Sequence, residues 1–128
     1  MAVQLNHTIV WCRDQQRSAA FLSDILGLPP PSQFAHFDIV TLDNDLSLDF
    51  AETGDEITPQ HYAFLITDEE FDVIHARILE RSRDFWADPM LQRQGEINRR
   101  DGGRGLYFLD PDGHVLEIIT RPYGSGPS

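Results

Sequence analysis

The chain has 128 residues, the length of one domain, and its 41% hydrophobic content is enough to bury a real core. A formal net charge of −11 argues against nucleic-acid and anionic-membrane partners, and no apolar run approaches the roughly twenty residues of a membrane span. With Met1–Asn6 neither basic nor long enough for a signal peptide, the chain reads as soluble and cytoplasmic.

In chain order, Val3–Trp11 is strand-like, with His7, Ile9 and Trp11 on one face. Cys12 follows as a small core residue at the strand end; as the only cysteine it has no intrachain partner. Asp14 caps a helix over Gln15–Leu26, with an apolar stripe of Ala19, Phe21, Leu22, Ile25 and Leu26 and a stop at Gly27. After the stiff Pro29–Pro31 connector come strands Phe34–Leu42 and Leu46–Ala51 around the turn Asp43–Asp45. The polar loop Glu52–Pro59 leads to a strand over His61–Thr67, then a helix capped by Asp68, with Glu69 and Glu70 in its first turn, running to about Ser82. Asp84–Ala87 is a short strand and Met90–Arg100 a loop. The hairpin Arg104–Leu109 and His114–Thr120 turns on Asp110-Pro111-Asp112-Gly113, and the tail Tyr123–Ser128 is frayed.

The order strand, helix, strand, strand, strand thus occurs twice, with a period of about 54 residues. This is an α+β arrangement of two tandem βαβββ units, about 3–53 and 60–121, within one domain spanning 1–128. His7 opens unit one where His61 opens unit two, and Asp49 in the last hairpin of unit one falls near Glu117 in that of unit two. Glu117 shares a face with Val115 and Ile119, so it is either a ligand or an edge residue reaching water, because an unpartnered buried charge costs several kcal/mol. A histidine in an apolar strand is ordinarily a core residue, but two matched histidines with matched carboxylates have the composition of a metal site. His114 points to the other face and reads as structural; His36 and His75 read as surface or packing residues.

The strands LNHTIV and HYAFLI and the closing GGRGLYFLDPDGHVLEIITRPYG resemble the vicinal oxygen chelate superfamily, which includes glyoxalase I, type I extradiol dioxygenases and bleomycin-resistance proteins. The resemblance runs from Leu5 to Tyr123 and implies a cup-shaped, mostly antiparallel sheet with helices outside. It also implies a divalent metal (Fe, Mn, Ni or Zn) held by His7, His61 and Glu117, with a small-molecule substrate chelating through two neighbouring oxygens. Asp49 stands where the glyoxalase I pattern has a fourth ligand carboxylate.

Tyr107, on the strand beside Glu117, is a candidate acid, base or hydrogen-bond donor, with a structural role equally open. Trp11 and Phe50 share phase with the candidate ligands or flank them, as aromatic walls. Arg99, Arg100 and Arg104 balance nearby acids or recruit an anion. Possession of all three ligand positions favours an enzyme over a drug-sequestering protein of the bleomycin-resistance type. Two units rather than four favour a lyase or isomerase over a ring-cleaving dioxygenase. Family members of this length resemble homodimers, and exposed sheet edges fit that expectation.

Overall fold

Two short sheets, each with one helix, account for the regular structure of the chain in the computed structural model, which describes residues 2–126. The first unit (Met1–Thr58) contains β1 (His7–Cys12), α1 (Gln15–Leu26), β2 (Ser32–Phe34), β3 (Phe37–Thr41) and β4 (Ser47–Glu52). The second (Pro59–Ser128) contains β5 (His61–Leu65), α2 (Asp68–Glu80), β6 (Phe85–Trp86), a 3-10 turn over Arg100–Gly102, β7 (Gly105–Leu109) and β8 (Val115–Ile119). Sheet orders are β1-β4-β3-β2 and β5-β8-β7-β6. In each, the first and last strands are parallel and the other pairings antiparallel, so the α+β, mostly antiparallel βαβββ expectation holds for both units.

Helix α1 starts where the Asp14 side chain accepts from the Arg17 amide and ends at Gly27, whose φ of 74° takes the left-handed turn. It buries Ala19, Leu22 and Ile25 against the sheet face that carries Val10, Cys12, Val40, Leu48 and Phe50. Phe50 is therefore core, 2% exposed, and not a wall of the opposite face; strand alternation sets it one residue out of phase with Asp49. Cys12 is fully buried, as expected, with its thiol on the Ala51 carbonyl.

The segment expected as one strand over Phe34–Leu42 is instead a hairpin, because Ala35 adopts φ 54° and turns Phe34 back onto Phe37. That turn supplies the third post-helical strand of unit one. Helix α2 is capped by Thr67 rather than Asp68: the Thr67 hydroxyl accepts from the Glu70 amide while the Glu70 carboxylate accepts from the Thr67 amide. A reciprocal capping box satisfies two amides where Asp68 could satisfy one. Phe71, Ile74 and Ile78 form its buried stripe.

Among the described residues, no helix is long and apolar enough to cross a membrane. In the closing hairpin, the Asp110 carboxylate accepts from the amides of Asp112 and His114, and Gly113 takes φ 89°. His114 is 1% exposed and its Nδ1 accepts from the Gln60 amide, tying the start of β8 to the residue before β5, the structural role its phase implies.

Candidate metal centre

Strand register makes the two units equivalent residue by residue at their open faces. In unit one His7 pairs with Ser47 and Ile9 with Asp49; in unit two His61 pairs with Val115 and Ala63 with Glu117. Asp49 and Glu117 are thus at the same place in their sheets, and the longer β6–β7 connection of unit two accounts for their unequal distances from the histidines along the chain. Aligned residues of a parallel pair point to the same side, so each histidine and its carboxylate share the face opposite the packed core.

In unit two this face is a built site. Glu117 is 1% exposed, while the His61 side chain is 47% exposed and lays its Nε2 2.9 Å from Glu117 Oε1. Directly beside Glu117 on β5 is Ala63, which has no bulk to cover the carboxylate, and on β7 its partner is Tyr107. The Tyr107 ring meets the His61 ring edge-on with centroids 5.8 Å apart. The second oxygen, Glu117 Oε2, accepts the hydroxyl of Tyr123.

A third layer completes the network. Arg100 Nη1 donates to the hydroxyl of Tyr107 at 2.7 Å and to that of Tyr123 at 3.2 Å, and the two phenol oxygens are 3.0 Å apart. A guanidinium only donates and a carboxylate only accepts, so the sense of the chain is determined. Arg100 gives to Tyr107, Tyr107 to Tyr123, and Tyr123 to Glu117. Burial, and then the hydrogen bond to Glu117, push the Tyr123 phenol well above its ordinary value, which keeps the proton on the donor. Arg100 also lines an open recess of about 660 Å³ with Arg93, Ile97, Asn98, Arg99 and Asp101.

In unit one, Asp49 is 9% exposed and takes the Ser47 hydroxyl at 2.9 Å. His7 is exposed, with Nδ1 2.8 Å from the Asn6 side-chain oxygen. Ile9 and Trp11 lie on the same face, 40% and 48% exposed, placing Trp11 where an aromatic wall was expected.

His61 and Glu117 therefore come together directly, Tyr107 joins them, and His7 and Asp49 occupy the matching face of the other unit. Among the described residues no group of three or more His, Cys, Asp or Glu side chains is already gathered for a metal ion. The pair present nevertheless suits a divalent cation: an imidazole nitrogen and a carboxylate oxygen are donors that Mn, Fe, Ni and Zn accept, and a carboxylate this deeply buried gains from a cation beside it.

Two residues of the site, Tyr123 and Arg100, have roles that differ from those the sequence suggests. The composition of Tyr123–Ser128 predicts a frayed tail, of which Pro127 and Ser128 lie outside the described residues. Tyr123 itself is held by a turn in which the Ser125 amide meets the Pro122 carbonyl, with Gly124 at φ 78° and Gly126 packed on the Asp101 backbone. A tyrosine between Pro and Gly in an otherwise small, polar tail was the available signal. Arg100 was grouped with Arg99 and Arg104, yet only Arg104 serves the acidic α2, reaching Asp68 and Asp72, while Arg100 turns to the phenols. His75, held between Phe71 and Phe85, is the packing residue expected.

The family model for the Glyoxalase/Bleomycin resistance protein/Dioxygenase superfamily matches residues 4–118. A glutathione transferase, FosA, from Serratia marcescens is 31% identical over 124 residues, covering 92% of this chain and 81% of its own. Two solved structures are nearer in sequence. Oxidase ChaP-H1 is 60% identical with a TM-score of 0.95, over 96% of this chain and 99% of that one. Oxidase ChaP-H2 is 56% identical with a TM-score of 0.97, over 99% and 100%.

Proposed function

The chain belongs to the Glyoxalase/Bleomycin resistance protein/Dioxygenase superfamily, and from that premise we propose that His7, His61 and Glu117 hold its divalent metal and that its reaction is an oxidation. Its membership and relatives make it a divalent-metal-dependent enzyme acting on a small molecule. The observation that carries the ligand set is the pairing of His61 Nε2 with Glu117 Oε1, together with the equivalent strand position of His7.

When bound, the metal supplies Lewis acidity and open positions for a substrate with two neighbouring oxygens. The chain's own residues do the rest. The Tyr107 phenol beside Glu117 accepts from Arg100 and donates to Tyr123, so it orients the Tyr123 hydroxyl rather than acting as acid or base. Ala63, the register partner of Glu117 on β5, places no polar group against the carboxylate. Each unit's open face also carries exposed apolar side chains, Ile9 and Trp11 in unit one and Leu65 in unit two.

A lyase or isomerase would use the same ligands; the 60% and 56% identity to oxidases over nearly the whole chain favours oxidation, with dioxygen as electron acceptor. The glyoxalase-like alternative has one specific support, the register equivalence of Asp49 with Glu117. On this reading the two units make up one domain, and the working form is a cytoplasmic symmetric homodimer that buries an apolar face.

Metal content and oxygen uptake test this reading together. Protein loaded with Fe(II) or Mn(II) should consume oxygen with catechols, and His7→Ala, His61→Ala and Glu117→Ala should each lose metal more than tenfold in affinity. Full metal occupancy in His61→Ala at equal total metal would overturn the ligand set. Sedimentation as a monomer at micromolar concentration would overturn the dimer.

A further inference from the structure

The geometry points to Tyr123 as a positioning residue that claims one oxygen of Glu117 and leaves only the other for the metal, an inference that rests on the metal reading above. Oε2 accepts the Tyr123 hydroxyl, while Oε1 faces His61 Nε2 on the exposed side of the site. A carboxylate with both oxygens free can rotate about its terminal bond and bind through either or both. Held at Oε2, Glu117 presents a single oxygen in a single orientation.

The tail that delivers Tyr123 is built for the purpose. Residues 121–126 fold back on the 3-10 turn. Gly103 lies so close that an added Cβ would sit 2.6 Å from Thr120 Oγ1 and 2.9 Å from Arg121 Cγ, and a Cβ on Gly126 would collide with the Asp101 carbonyl. Arg121 Nη2 clasps the Ser125 carbonyl at 3.2 Å. Arg100 and Tyr107 hold the Tyr123 oxygen from the other side, so its one proton is left for Glu117. A loose tail would need neither the close glycine approaches nor the three-way fit at one hydroxyl.

The test uses the full-length protein and two metal probes, Mn(II) for affinity by calorimetry and Co(II) for its visible absorption spectrum. Tyr123→Phe keeps the ring and removes the hydroxyl; Gly126→Ala dislodges the tail and leaves Tyr123 intact; Glu117→Gln removes the ligand. Loss of a hydrogen bond to a metal ligand typically costs 10–100-fold in affinity. The expected result is therefore a Mn(II) affinity lowered about tenfold and an altered Co(II) spectrum in both Tyr123→Phe and Gly126→Ala, with binding abolished in Glu117→Gln. A merely structural tyrosine would shift the melting temperature and leave the Co(II) spectrum unchanged. Wild-type affinity and spectrum in Tyr123→Phe, with binding abolished in Glu117→Gln, would overturn the role of Tyr123 alone. Wild-type binding in Glu117→Gln would overturn the metal reading and this inference with it.

Discussion

Replacing Glu117 by glutamine separates what the carboxylate does for folding from what it does for the metal. A carboxylate with 1% exposure carries a desolvation cost of several kcal/mol. Its two hydrogen bonds, from His61 and Tyr123, each involve a charged acceptor and return about 1.5–3 kcal/mol apiece. The two contributions nearly cancel, and glutamine keeps the shape, so metal-free Glu117→Gln should differ from wild type by no more than about 1 kcal/mol. Leu106→Ala on the neighbouring strand, removing a fully buried side chain, should cost about 2–5 kcal/mol. Metal reverses the comparison: at a free concentration 100 times Kd it stabilises wild type by about 2.7 kcal/mol, a rise in Tm on the order of 10 °C. Calorimetric melts of chelator-treated protein, with and without Mn(II), read all of these quantities. The reasoning is refuted if Glu117→Gln keeps the metal-dependent rise, or if its metal-free form is destabilised as much as Leu106→Ala.

Three further outcomes follow from particular contacts. Asp49→Asn should weaken metal binding far less than Glu117→Ala in parallel titrations, and equal losses would establish a fourth ligand at Asp49. Burial, reinforced by the charge of Arg104 and opposed by Asp72, pushes the His75 imidazole below its usual 6.5, so the unfolded chain binds the proton more readily. Stability is complete above that value and erodes as pH falls below it; His75→Phe should flatten the fall in Tm between about pH 7 and pH 5, and equal slopes would remove His75 as a contributor. Thr67→Ala, which breaks the capping box of α2, should cost about 1 kcal/mol in denaturant melts, and a cost near zero would return the cap to Asp68.

What the sequence determined by itself was local or periodic. Alternation separated the two faces of each strand, Asp14 and Gly27 bracketed α1, and the Asp110–Gly113 turn marked the closing hairpin, because each signal lies within a few residues of the structure it dictates. His114 was legible as structural for the same reason, being one residue out of phase with Glu117 by the period of a strand. The failures were of a different kind. Ala35 turns the chain without glycine or proline to announce it, Thr67 and Asp68 are both acceptable caps until Glu70 reaches back, and Phe50, which flanks Asp49, packs in the core instead of forming an aromatic wall. The partners of Glu117 depended on tertiary structure altogether. Ala63 and Tyr107 reach it across strands, Tyr123 through a folded tail, and Arg100 through Tyr107 and Tyr123. Such groups meet only once strand pairing and loop length bring distant segments together, and a hydrogen bond a few ångströms long leaves no periodic trace in the chain that makes it.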